Sequence, residues 1–226
     1  MEMAHIIYVL IFKFEWQLKY LINHIHKVVV ASHNAGKVRE INALLKKQSI
    51  KTISLKKFNI NEPRETGLTF KENSILKSRN ASIKTNLPAI ADDSGLCVPV
   101  IDNKPGIYSA RWAGKRKDFS LAMNKIEKKM RTVCDMGKKD RRAFFVCALS
   151  LYFPDHTYKV FEGKIYGHLQ FPPQGNNGFG YDPIFIPNGF VKTFGEMQYS
   201  FKERISHRAK AFQKLNRYLK KISINY

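Results

Sequence analysis

The chain has 226 residues, of which 44% are hydrophobic, and carries 39 basic against 18 acidic side chains for a formal charge of +21. That supply of apolar residues suits one globular domain and is not the composition of a disordered chain. Three cysteines (Cys97, Cys134, Cys147), an odd number with no C-x-x-C, leave a disulfide framework or a zinc site without support and read as small core residues in a reducing cytoplasm. The charge implies attraction to polyanions. Lysines accompanied by Ile and Asn are spread along the whole sequence, a pattern of compositional drift rather than of a dedicated nucleic-acid surface.

In chain order, residues 1–26 read as an N-terminal extension of unassigned role. The apolar run Ile6–Phe12 is too short to span a membrane, and a basic start with a small-residue cleavage site is missing. Residues 27–226 read as a single domain. Lys27–Ala31 contains the β-branched run Val28-Val29-Val30 and reads as a buried strand. A polar turn, Ser32–Gly36, follows, and then a helix with Val38, Ile41, Leu44 and Leu45 at helical spacing. Ile50–Leu55 reads as a second strand. Asn61–Thr69 is a polar loop carrying Glu62 and Glu65. Phe70 to about Lys84 reads as a helix with Ile75, Leu76 and Ile83 turned inward.

Ala89-Ile90-Ala91 is expected as a short strand ending on Asp92-Asp93-Ser94-Gly95, with a turn at Asp102–Gly106. Phe119–Arg131 reads as a helix and Cys134–Asp140 as a polar link. Arg142–Phe153 and Tyr158–Ile165 read as a hairpin turning at Pro154-Asp155-His156. A loop rich in Gly and Pro occupies Phe171–Pro183, and a C-terminal helix is expected over Glu203–Lys221, with Phe212, Leu215 and Leu219 on one face.

Several segments carry chemistry. Ser32-His33-Asn34-Ala35-Gly36-Lys37, between strand and helix, can offer backbone N–H groups and a cation to phosphate, or can be an ordinary capped helix start. It is not a Walker A loop, because Val38 stands where Ser or Thr is needed. Asp92 and Asp93 need a cation or hydrogen-bond donors if they are buried, and magnesium with substrate phosphates would supply one; an Asx-turn is the alternative. Glu72 and Asn73 suit a helix start. Phe179-Gly180-Tyr181-Asp182 can enclose a base or anchor a long loop. Lys202, Ser206, His207 and Arg208 can read a purine carbonyl or a phosphate, or form a solvated basic face.

Taken together and in order, these segments resemble the inosine-triphosphate pyrophosphatase family, also described as dITP/XTP pyrophosphatases. The resemblance rests on residues 30–40, 65–73, 91–96, 105–111 and 178–183, and on Lys202 with Ile205-Ser206-His207-Arg208. It implies an α/β fold: a long curved mixed sheet flanked by helices, in two lobes around a central cleft. It also implies hydrolysis of ITP, dITP and XTP to the monophosphate and pyrophosphate, with a homodimer as the assembly and the cytoplasm as the compartment. Carried over by position, Ser32 to Lys37 hold the triphosphate, and Glu65 and Asp93 bind magnesium. Asp93 accepts the proton and Ser94 contacts substrate. Phe179, Gly180, Tyr181 and Asp182 enclose the base, and Lys202, His207 and Arg208 contact the nucleotide. Ser32, His33 and Arg64 depart from the family pattern, which often has Thr, a small residue or Asn, and a further acid at those positions.

Overall fold

A computed structural model describes residues 26–135 and 140–224, with side chains to residue 220. The N-terminal extension, but for residue 26, and residues 136–139 of the expected link lie outside the described residues.

The strands are β1 (Lys27–Val30), β2 (Lys51–Ser54), β3 (Ala89–Val98), β4 (Lys104–Pro105), β5 (Arg142–Tyr152), β6 (Tyr158–Leu169) and β7 (Phe185–Pro187). The helices are α1 (Ala35–Lys46), α2 (Phe70–Thr85), α3 (Ser109–Trp112), α4 (Phe119–Asp135), α5 (Tyr199–Ile205) and α6 (His207–Ile224). The strands form one mixed sheet in the order β2-β1-β3-β5-β6-β7, with β4 paired to β3. β1 is parallel to both β2 and β3, whereas β3-β5, β5-β6 and β6-β7 are antiparallel. The expected α/β class with antiparallel pairing in the second half is what the chain adopts.

Chain order reverses at β1: the chain steps to β2 on one side and then returns to place β3 on the other. Ligands of open α/β sheets sit beyond the carboxyl ends of the strands at such a switch point. β1 pairs with β3 only through Ala89 and Ile90, so the rest of β3 runs past the end of β1.

One face of the sheet is covered by α1 and α6. Val28, Val30, Ile41, Leu45, Ile90, Leu149, Phe212 and Leu215 are buried together there, each large side chain contributing about 1.5–3 kcal/mol by leaving water. Gly163 lets α6 lie directly on β6, because a Cβ there would fall 2.1 Å from the His207 carbonyl oxygen. α4 packs beside β5 to β7 over a second core built on Leu96, Ile126, Phe145, Phe185 and Phe194.

Four local expectations are corrected. β3 is one strand of ten residues that passes through the Asp pair rather than stopping at it; Lys37 and Arg208 hold Asp92, and Lys77 holds Asp93. α2 turns Ser74, Ser78, Ala81 and Ser82 inward, leaving Ile75 and Leu76 half-buried and Ile83 exposed. Small side chains allow close approach to the sheet, where the Ser150 hydroxyl bonds to Ser78 Oγ (2.8 Å) and donates to the Ser74 carbonyl (2.7 Å). The expected C-terminal helix is two helices. Ser206, at φ −62° and ψ 160°, ends α5, and its hydroxyl accepts the Ala209 N–H to cap α6. Cys134 belongs to α4 rather than to the following link.

Candidate active site

The turn after β1 builds the first wall. Asn34 caps α1, its side-chain oxygen accepting the N–H groups of Gly36 (3.0 Å) and Lys37 (3.2 Å). Ser32 Oγ accepts the Asn34 N–H, and Glu62 accepts the His33 N–H. Four backbone donors of this turn are therefore engaged within the protein. The cationic contribution of the segment comes from the Lys37 side chain, 3.3 Å from Asp92.

Successive residues of a strand face opposite sides, and Asp92 and Asp93 do so. Asp92 joins a buried network with Lys37 and Arg208: Arg208 Nη2 lies 3.0 Å from Asp92 and also donates to Ser94 Oγ, while Nη1 contacts Glu40. Burial pushes the Asp92 carboxyl up, but Lys37, Arg208 and Lys77 outweigh it and hold the group well below the usual carboxylate range. Arg208, fully enclosed, is held charged against burial by Asp92 and Glu40.

Asp93 faces α2. Its Oδ1 accepts from Lys77 Nζ at 3.1 Å, and the same ammonium donates to Glu65 Oε1 at 3.0 Å. Glu65 is gripped from outside by Arg111, which donates to its carbonyl and to Oε2. Burial, the largest influence, together with the Glu65 charge leaves Asp93 above its ordinary pKa despite Lys77 and Lys37. Glu65 goes the other way, since Lys77, Lys37 and Arg111 overcome its partial burial. Lys77 is itself buried, and the three neighbouring acids keep it protonated against burial. Asp93 Oδ2 is a buried oxygen with no hydrogen-bond partner among the described residues.

The far wall comes from the long loop and the last helices. Phe179 lies against Gly36, where a Cβ would come within 2.8 Å of the ring. Lys202 Nζ sits 4.9 Å from the Phe179 centroid and 2.6 Å from Asp182, which also accepts the Phe179 N–H. Burial raises the Asp182 carboxyl even though Lys202 opposes it. Tyr181 is buried, and its hydroxyl donates to the Ser109 carbonyl. His207 stacks on Phe145 at 4.8 Å with an interplanar angle of 12°. Burial and the charges of Arg208 and Lys202 depress its pKa well below the usual value, so the ring is neutral. Its Nδ1 is buried and has no hydrogen-bond partner among the described residues.

Of the residues singled out in the sequence, Ser32, Asn34, Lys37, Glu65, Asp93, Ser94, Phe179, Gly180, Tyr181, Asp182, Lys202, His207 and Arg208 line one cleft. His33, Ala35 and Gly36 stand outside its lining: His33 turns toward Glu62, and Ala35 and Gly36 open α1. Glu72 and Asn73 are occupied in starting α2, Glu72 in a capping box with Thr69 and Asn73 as acceptor of the Gly67 N–H. Reading along the chain misses Lys77, whose only cue is a lysine on a face of small residues that the helix buries, and Glu40, an acid beside Ile41 on the buried side of α1.

Carboxylates, cations and an aromatic wall meet in one cleft at the switch point of an open sheet, the place where α/β proteins bind their ligands. The chain belongs to the Ham1 family, whose model matches residues 28–218. It is 48% identical over 188 residues to a dITP/XTP pyrophosphatase of Rhodospirillum centenum, covering 83% of this chain and 92% of that one. It is also 48% identical to the dITP/XTP pyrophosphatase of Caulobacter vibrioides, over 84% of this chain and 95% of the relative. A solved HAM1 protein from Coxiella burnetii superimposes with a TM-score of 0.79 at 36% identity, covering 86% of this chain and 98% of that chain.

Proposed function

We propose that this chain hydrolyses deaminated purine nucleoside triphosphates (ITP, dITP and XTP) to the monophosphate and pyrophosphate, removing them from the nucleotide pool. Family membership supports the reaction. The observation that carries it to particular atoms is the Lys77 bridge, which holds Asp93 and Glu65 together in a cleft that also contains Lys37.

The triphosphate lies beside Ser32, Asn34 and Lys37, with the Lys37 ammonium offsetting its charge. Asp93, with its pKa raised and one oxygen unpartnered, accepts the proton of the attacking water. The water oxygen bonds to the α-phosphorus, the bond to the bridging oxygen breaks, and pyrophosphate leaves. Ser94, whose hydroxyl lies with Asp92 and Arg208, contacts the substrate from that side. Lys77 fixes Asp93 and Glu65 in one arrangement, so they need no reorganisation during the reaction.

Among the described residues no group of three or more His, Cys, Asp or Glu forms a cation cage. Two carboxylates with substrate phosphates suffice for magnesium, and Glu65 and Asp93, drawn together on the Lys77 ammonium, fit that role; with the metal held there, Asp93 would act on the attacking water through a metal-held water rather than through a free oxygen. Bound there, magnesium would neutralise charge on the phosphate chain.

Phe179, Gly180, Tyr181 and Asp182 enclose the base; Phe179 supplies the ring face, while Tyr181 and Asp182 brace the loop. Neutral His207 and Arg208 read the base edge, and Lys202 contacts the nucleotide. Donors aimed at a 6-oxo group are left unpaired by adenine, which disfavours ATP. We extend the reading to a cytoplasmic homodimer, which light scattering tests; no described helix is long and apolar enough to cross a membrane. The deciding experiment is pyrophosphate release from ITP, XTP, GTP and ATP with and without magnesium. Metal-dependent release from ITP and XTP is expected. Well-folded protein that releases none would overturn the assignment.

A further inference from the structure

A second concave surface lies outside the cleft, between α3 and α4. Lys125, Lys128, Lys129 and Thr132 recur on α4 at the spacing that places side chains on one helix face. Facing Tyr108, Arg111 and Trp112, they wall a cavity of about 530 Å³. Among the described residues, four of the lining side chains are cations and none is a carboxylate. Glu127, the acid of this stretch of α4, pairs instead with Arg131 at 2.7 Å. Lys125 reaches across the groove to donate to the Trp112 carbonyl at 3.2 Å.

Like charges three and four residues apart destabilise a helix unless a counter-charge meets them. Overall basicity explains many lysines; it does not explain cations gathered on both walls of a hollow whose remaining lining is aromatic and Thr. Ammonium groups suit phosphate oxygens as point charges, and the guanidinium fork suits them in pairs. The hollow is bounded by two helices rather than drawn out as a track, which favours a compact polyanion over a nucleic-acid strand.

We propose that the α3–α4 groove is a second binding site for a phosphate chain, held by Lys125, Lys128, Lys129 and Arg111. The chain can come free, as an inorganic oligophosphate, or as the triphosphate of a nucleotide whose base meets Tyr108 or Trp112. Arg111 also holds Glu65, so an anion in the groove competes for the clamp on the cleft's acid. The site does not depend on the proposed reaction, because occupancy can be read without turnover.

The sequence has two tryptophans, Trp16 and Trp112, so Trp16→Phe leaves one indole, on the groove wall. Full-length Trp16→Phe protein is titrated with inorganic tripolyphosphate in chelator at constant ionic strength, following Trp112 emission. A saturable change is expected. It should weaken at least tenfold when Lys128→Ala and Lys129→Ala, both exposed positions, are added, and it should persist with Lys37→Ala, which disables the cleft. Circular dichroism checks that each variant is folded. No saturable change, an unaltered curve without Lys128 and Lys129, or loss with Lys37→Ala would each overturn the site. ATP binding more tightly than tripolyphosphate assigns the chain to a nucleotide, and equal or weaker binding assigns it to free oligophosphate. A deoxythymidine decamer binding more tightly than both would overturn the compact-anion assignment in favour of a strand.

Discussion

Lys77 lies 3.1 Å from Asp93 while its own side chain is 5% exposed, so one buried ammonium sets the position of the acid proposed to take the proton. The same nitrogen reaches Glu65 at 3.0 Å. Replacing Lys77 with Met leaves two neighbouring carboxylates without their shared partner. Turnover on ITP should fall about 100-fold, the scale of a small misplacement of a reacting group. Stability should fall by about 3 kcal/mol, as for other broken buried pairs. Steady-state kinetics and urea unfolding of the same variant separate the two effects.

Asp93→Asn keeps the shape and removes the basic oxygen. We expect a loss of about 10²–10⁴ in kcat, with a melting temperature close to that of the parent. Chelating magnesium from the parent should abolish pyrophosphate release, and restoring it should recover release. A chelated parent that retains full activity would remove the metal from the proposal.

Gly36→Ala tests the contact between the first turn of α1 and Phe179. Alanine favours a helix by about 1 kcal/mol over glycine, yet the added methyl would sit 2.8 Å from the ring. The expected outcome is unchanged or slightly higher stability with KM for ITP raised about tenfold, or about 1.4 kcal/mol in binding. A lower KM would show that Phe179 does not cover the substrate.

Asp92 tests the buried network. Its pKa is depressed in the folded state, so its contribution is present above the unfolded value of about 3.9 and lost as pH falls below it. Asp92→Asn should cost about 3–5 kcal/mol at neutral pH, because Arg208 and Lys37 lose their counter-charge. It should also flatten the decline of stability below pH 4, measured by urea unfolding across the acid range.

His207 gives a separate pH signature. Its folded pKa lies well below 6.5, so below about pH 6.5 the unfolded chain binds a proton that the folded protein refuses. Stability therefore falls as pH drops through that value, by up to about 1.4 kcal/mol per pH unit for one group. His207→Gln should remove this slope while leaving the shape of the curve above pH 7 unchanged.

Local chemistry made much of the molecule readable from the sequence. The run Val28 to Val30 reads as a buried strand from its β-branched residues, and helices are expected after the turn at Ser32–Gly36 and from Phe70; the structure adds that the Asn34 and Thr69 side chains cap them. The Asp pair, the Phe179 loop and His207-Arg208 each leave a plain structural alternative open; only their order, through the family resemblance, implies a cleft. What the tertiary structure decided depends on partners far apart in the chain. Glu40 meets Arg208 across 168 residues, and Asp92 meets it across 116. These contacts let β3 run through two acids that, read locally, looked like the end of a strand. Ile83 points outward because close approach of α2 to the sheet favours Ser and Ala over its larger apolar residues. Local propensity and periodicity belong to neighbours in sequence, whereas the energy of a buried charge depends on what the fold places around it; that is why Lys77, at the centre of the cleft's acids, became visible only in three dimensions.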